Sequence, residues 1–232
     1  MEELKRLLPL AVFVETGTFE GETVAMMAPL FGEIHTIEVS DAYYRAAAER
    51  FGQNADITVY HDDSPRALES LRADLENRSV LYWLDAHWCL AADTGGAHSE
   101  SPLLAELDAI GHLNTESVLM IDDARLFLCT PPQPAELGGW PRFQAVIERL
   151  FRLSAQHDTM VINDVIVLYP RSVAEPVAQY AGSHSIDWLA ALRELDESRA
   201  EIEMLHETAA ERLALIEELH GILALQREGG GA

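Results

Sequence analysis

Basic residues are scarce in this sequence. Lysine occurs once, at Lys5, and Lys+Arg total 16 against 39 Asp+Glu, a formal net charge of −23 over 232 residues. That balance excludes a large DNA or RNA interface, because nothing is left to neutralise phosphates. Docking on an anionic membrane surface is excluded on the same ground. Long apolar runs are missing too. None exceeds eight residues, the length of Leu7 to Val14, which contains Pro9, whereas a spanning helix needs ~20. Glu2 and Glu3 spoil a signal-peptide n-region, and no small-residue cleavage site follows Val14. Cysteine is limited to Cys89 and Cys129, both in apolar stretches, which predicts buried free thiols in preference to a disulfide. A cytoplasmic protein without nucleic-acid partners or membrane insertion is expected. What remains is 48% hydrophobic, a globular composition sized for one full domain plus an appendage.

Residues 1–170 alternate short apolar runs with amphipathic stretches. Strands are expected at Ala11–Val14, Ile34–Glu38, Ile57–Tyr60, Val80–Asp85 and Val118–Asp122. Helices are expected at Glu22–Leu30, Ala42–Phe51, Pro65–Asn77, Ser101–His112 and Phe143–Ser154. This alternation implies parallel pairing through right-handed crossovers. The ending differs. Thr159–Ile162 and Val165–Tyr169 are separated only by Asn163-Asp164, a turn dipeptide, so an antiparallel hairpin closes an otherwise parallel sheet. The fold class is therefore α/β, with five parallel βα units, a terminal hairpin and seven strands in all. Residues 171–184 read as a linker. From Ser185 the period changes: Trp188, Leu195, Ile202, Ala209, Ile216 and Leu223 recur every seven residues, joined by Ala191, Leu205 and Leu219 three places after members of the series. A helix over 185–228 that self-associates as a coiled coil is expected.

The chemistry gathers at the predicted strand ends. Glu15-Thr-Gly-Thr-Phe-Glu-Gly-Glu-Thr23 links the first strand to its helix, and Gly17 and Gly21 allow a tight turn close to a ligand. Glu15 argues against a phosphate there and for a cationic or hydroxyl-rich ligand. Glu38 ends the second strand 17 residues after Gly21, near the spacing at which an acid reaches ribose hydroxyls. Asp63 and Ser64 follow the third strand, either against an adenine edge or, for Ser64, as a helix cap. Asp85, Asp122 and Asp123 should converge at one sheet edge, where a divalent cation, Mg²⁺ most simply, relieves their repulsion. His87 is either a ligand, a general base or a backbone partner. The loop Ala91–Ser99 reads as a lid or an ordinary connection, and Arg125 as an anion clamp or a partner of the acids.

These segments, together with Thr36-Ile-Glu38, Trp83-Leu-Asp85-Ala-His87, Ser101-Pro-Leu-Leu-Ala-Glu106-Leu and Leu119-Met-Ile-Asp122-Asp123-Ala-Arg-Leu-Phe127, resemble class I S-adenosylmethionine-dependent methyltransferases. The branch they resemble is that of metal-dependent macrocin O-methyltransferases and related bacterial sugar-modifying enzymes. The resemblance spans roughly residues 10–170 and implies a Rossmann-like seven-stranded sheet. It implies that Glu15, Gly17 and Gly21 hold the methionine part of S-adenosylmethionine, with Thr18, Thr23 and Asp85 also on the cofactor. Glu38 would bind the ribose, and Asp63 and Ser64 would meet the adenine. Asp85, Asp122 and Asp123 would bind Mg²⁺. Thr18 and Phe19 stand where the commoner pattern has a glycine, and Asp62 stands where many relatives have another.

The expected function is Mg²⁺-dependent O-methylation of a hydroxyl on a sugar or sugar-containing metabolite. Asp85 and His87 would be the catalytic residues, the acceptor a small molecule or glycan, and the protein a homo-oligomer through its C-terminal helix. Two alternatives stand beside it. One is a coiled-coil assembly module with a weak or vestigial cofactor site. The other is a metal-dependent hydroxylase or hydrolase on the same fold.

Overall fold

The computed structural model describes residues 1–86, 101–129 and 140–229. The chain divides into two units, Met1–His184 and Ser185–Ala232.

The first unit is built on a seven-stranded sheet in the order β3-β2-β1-β4-β5-β7-β6. The strands are β1 (Val12–Thr16), β2 (Ile34–Glu38), β3 (Ile57–His61), β4 (Val80–Leu84), β5 (Val118–Ile121), β6 (His157–Ile162) and β7 (Val165–Pro170). The first five pair in parallel; β7 runs antiparallel to both β5 and β6. The predicted hairpin is present, and Asn163 takes the left-handed conformation (φ 56°) that its turn requires. Every residue of β1 and β4 is buried, as expected of central strands covered on both faces.

Strand alternation divides the core into two layers. One face carries Val12, Val14, Tyr82, Leu84, Leu119 and Ile121 under α4 (Ser64–Leu75), α5 (Leu103–Ile110) and α7 (Phe143–Leu153). The other carries Phe13, Leu81, Trp83, Val118, Met120 and Val167 under α1 (Glu2–Leu7), α2 (Glu22–Met27) and α3 (Asp41–Phe51). A short α6 (Arg125–Leu128) follows β5. Truncating a fully buried side chain such as Phe13 would cost about 3–5 kcal/mol.

Two expectations need correction. Residues 171–184 are no linker: a 3-10 turn at Arg171–Val173 runs into α8 (Ala174–His184), which buries Val177 and Ala181. The small and apolar residues at 173, 174, 177 and 181 carry a helical spacing that the flanking Pro, Gly, Ser and His obscured. Cys129 is a free thiol, but it is exposed. It stands where the chain leaves α6 in extended conformation beside the equally exposed Leu128. Cys89 lies outside the described residues.

The second unit is one helix, α9 (Trp188–Gly229), of 42 residues. At 1.5 Å per residue it is ~63 Å long. The Asp187 carboxylate caps it, accepting from the Leu189 and Ala190 amides at 3.0 Å each. Its apolar side chains, among them Leu195, Ile202, Leu205, Ile216 and Leu219, are exposed.

Candidate functional site

The parallel strands β1, β2, β4 and β5 deliver Glu15, Glu38, Asp85 and Asp122 at or just past their carboxyl ends, the edge at which open α/β sheets bind ligands. Register sets their spacing. Glu15 lies opposite Thr36 on β2 and Trp83 on β4, and Leu84 lies opposite Ile121, so Asp85 and Asp122 follow on adjacent strands. Neighbouring strands are ~4.8 Å apart.

Glu15 is 1% exposed. Its Oε2 accepts from Thr36 Oγ1 at 2.6 Å, and Thr36 Oγ1 lies 2.6 Å from Thr18 Oγ1. Burial pushes the Glu15 carboxyl up to about 8; a hydrogen bond from Thr36 opposes this, the negative charge of Asp85 adds to it, Thr23 opposes and Glu38 adds. A buried acid held this far from its ordinary range fits a cationic partner whose arrival restores its charge.

The loop after β1 turns through Gly17 (φ 83°) and Gly21 (φ 75°). Gly17 is needed twice over: a Cβ there would stand 2.5 Å from the Asp85 carbonyl oxygen. The two chain segments are stitched further by the Asp85 amide, which donates to the Thr16 carbonyl at 3.1 Å and to Thr16 Oγ1 at 3.3 Å. Phe19 also has positive φ, at 47°. Its amide donates to Glu38 Oε2 at 2.8 Å, while the Ser40 amide donates to Oε1 at 2.7 Å. Glu38 is thus fixed by one backbone donor per oxygen, each keeping a lone pair for a ligand hydroxyl.

Beyond β3, Ser64 is buried as the first residue of α4, and the cap position belongs to Asp63. Asp63 is exposed. Asp62, next to it, is tied to Arg66, and that guanidinium holds its carboxyl below the usual range.

The acidic trio is only partly assembled. Asp123 has φ 52°, and its carboxylate pairs with Arg125, which also pairs with Asp164. The Arg125 amide donates to Asp164 Oδ1 at 2.9 Å. Arg125 is therefore a partner of the acids. Among the described residues, no group of three His, Cys, Asp or Glu side chains is arranged to hold a metal ion. Asp85, Asp122 and Asp123 are thus not gathered as the expected Mg²⁺ donor set. His87 and the loop Ala91–Ser99 lie outside the described residues.

No family model matches this chain, and no curated protein does. Solved structures do. A Streptococcus mutans protein described as a methyltransferase, in complex with S-adenosylhomocysteine, matches with TM-score 0.50 at 14% identity, over 73% of this chain and 94% of its own. A Clostridium thermocellum protein described as an rRNA methylase matches with TM-score 0.52 at 10% identity over the same shares, 73% and 94%. A Staphylococcus aureus protein described as a caffeoyl-CoA O-methyltransferase matches with TM-score 0.50 at 13% identity, over 72% and 80%. The first unit has the methyltransferase fold. At these identities the match concerns the architecture, and the residues above stand on their own geometry.

Sequence reasoning missed three participants. Thr36 sat inside a quoted motif, yet only the cross-strand pairing with Glu15 reveals its hydroxyl as the partner of that carboxyl. Phe19 gave no signal for supplying a backbone donor to Glu38. Asp164 looked like a turn residue alone and proves also to be an Arg125 partner.

Proposed function

We propose that the protein is an S-adenosylmethionine-dependent methyltransferase acting on a hydroxyl group, on a sugar-containing metabolite in the finer form of the proposal. The observation that carries it is Glu15: a buried, uncharged-leaning acid at the end of the first strand, beside the Gly17–Gly21 turn. A sulfonium and an ammonium are the cations that would restore its charge. When bound, the cofactor supplies an electrophilic methyl group. Glu15 and the Gly17 and Gly21 backbone would hold its methionine part, with Thr18 and Thr23 beside them. Glu38 would take the ribose hydroxyls, and Asp63 and Ser64 the base.

The chain's own residues then position the acceptor oxygen. The acceptor hydroxyl would take the methyl group that the sulfonium supplies and would give up its proton to a base. Asp85 is the base among the described residues, with His87 two residues further on as its companion. Its proximity to Glu15 supports this role: the two charges interact. Holding the acceptor in line is itself worth several kcal/mol of barrier. Asp122, next in register, would hydrogen-bond the same hydroxyl.

Isothermal calorimetry with S-adenosylhomocysteine tests the reading. One site per chain is expected, lost in Glu38→Ala. No heat at high micromolar ligand would overturn it in favour of the assembly-module alternative.

The exposed stripe of α9 supports self-association with a second copy. With Trp188 starting each heptad, Glu194 and Glu201 precede core positions while Arg199 and His206 follow them. Parallel, in-register helices bring Glu194 to Arg199 of the other copy, opposite charges at the flanking positions, and Glu201 to His206, a carboxylate beside an imidazole.

A further inference from the structure

The same sheet face that carries Trp83 and Met120 holds a cavity of about 190 Å³, away from the β1 loop. Its walls are Leu4 and Leu7 of α1, Met120 of β5, Val165 and Val167 of β7, and Val177 of α8. We propose that this cavity binds the apolar part of the acceptor, a single six-membered ring or a short aliphatic chain. The proposal rests on the methyltransferase reading of the preceding section.

Size comes first. An aliphatic cavity of about 150 Å³ holds one benzene. The volume here suits one ring with a substituent. Lining chemistry comes second. A bare hexose would press hydroxyls against these aliphatic walls with few partners, at roughly 1–3 kcal/mol for each one left unpaired. The polar side chains among the lining residues are Glu3, Asn163 and Tyr180, and Met1 brings the partly buried α-ammonium; these can orient one hydroxyl or glycosidic oxygen but not the full set of a polyol. Charge comes third. The Glu3 carboxylate and the Met1 ammonium both lie at the cavity, so neither sign of charge dominates there and a neutral group suits it.

Position links the cavity to the reaction. Met120 lines it, and Asp122 lies two residues further along the same strand direction, with its amide continuing the ladder to the Leu84 carbonyl at 3.1 Å. Residues two apart share a face and are separated by ~7 Å. A ring seated against Met120 therefore places a substituent one step from the carboxylate edge that receives the acceptor hydroxyl. The acceptor that fits both ends is a neutral glycoside or alcohol with an apolar ring or chain, not a free sugar.

The test uses the full chain and 4-fluorophenol, followed by fluorine NMR. Saturable binding at one equivalent is expected, weakened at least about tenfold by Val167→Trp, which fills the cavity. Val177→Phe fills it from the opposite wall and serves as a second variant should the first not fold. Both are to keep wild-type affinity for S-adenosylhomocysteine. Myo-inositol, the bare polyol, should not compete. Failure of the wild type to bind fluorophenol while binding S-adenosylhomocysteine overturns the cavity assignment alone. Fluorophenol affinity unchanged in a folded filled variant overturns it too. Fluorophenol binding without S-adenosylhomocysteine binding overturns the acceptor role together with the methyltransferase reading.

Discussion

Thr36 Oγ1 donates to Glu15 Oε2 at 2.6 Å, and together with a hydrogen bond from Thr23 it supports a carboxyl buried at the end of β1. Because that hydroxyl proton is committed to Glu15, Thr18 Oγ1 becomes the donor to Thr36. Burial nonetheless wins, and the carboxyl titrates at about 8. Below that value Glu15 must give up its proton before a cationic ligand can use it. Affinity for S-adenosylmethionine is expected to rise with pH, by up to about tenfold per unit between about pH 6 and 8, and then to level. Calorimetry in buffers of different ionisation enthalpy would register a released proton. Glu15→Gln should flatten the profile and weaken binding. A wild-type affinity independent of pH would contradict the assignment.

The same group makes a stability prediction with a fixed sign. Its folded value is raised from 4.5 to about 8. Its contribution to ligand-free stability is thus complete below about 4.5 and lost as the pH rises through about 8. Glu15→Gln should melt above the wild type at about pH 9, by an amount on the order of 1–3 kcal/mol, and the gap should shrink toward neutral pH. Thermal denaturation at several pH values measures it.

Gly17 is expected to tolerate no side chain. Its φ of 83° and the 2.5 Å approach to the Asp85 carbonyl oxygen act together. Gly17→Ala should cost about 2–3 kcal/mol and separate the β1 and β4 tips, reducing cofactor affinity more than the fold loss explains. Gly32→Ala is the control: a Cβ there meets nothing within 4 Å, and a change within about 0.5 kcal/mol is expected.

What could be read from the sequence was what periodicity and turn chemistry encode. All seven strands, the Asn163-Asp164 hairpin and the long helix follow from patterns of two, 3.6 and seven. The gathering of Glu15, Glu38, Asp85 and Asp122 at one edge follows from strand ends alone. The missing parts depend on contacts between distant residues. Helix α1 is six residues long, too short for a periodic signal, and its N-terminal run was merged with the apolar approach to β1. Helix α8 hides its buried positions among Pro, Gly and Ser. The pairing of Asp123 could not be foreseen, because it depends on a positive φ and on Arg125, whose other partner, Asp164, lies 41 residues beyond Asp123 along the chain.

That pairing yields a prediction about metal. With Asp123 held by Arg125, S-adenosylhomocysteine affinity should be unchanged by excess EDTA. Removing the guanidinium in Arg125→Gln takes away the ion pair at Asp123 and should tighten Mg²⁺ binding about tenfold or more over the wild type, with Asp85 and Asp122 as the other donors. Titration calorimetry with magnesium chloride alone compares the two proteins. Equal Mg²⁺ affinity would remove Asp123 from any cation set at this edge.

The α9 stripe predicts both association and direction. Its apolar residues are exposed along the helix, Trp188 at 55% and Ile202 at 53%, a cost that a second copy would remove by burying them. Light scattering of the full chain should give a dimer, and Ile202→Asp should shift it toward monomer. Orientation follows from charge. Glu194 and Arg199 are five residues apart, too far round the helix to pair within one chain, where partners lie three or four apart. Glu194→Arg should therefore weaken the dimer by about 1 kcal/mol per pair, and adding Arg199→Glu should restore it, only where the helices run parallel and in register. An antiparallel pair sets each flanking position against its own kind, so the double exchange would recover nothing. A full chain that scatters as a monomer, or a double variant as weak as the single one, would refute the parallel arrangement.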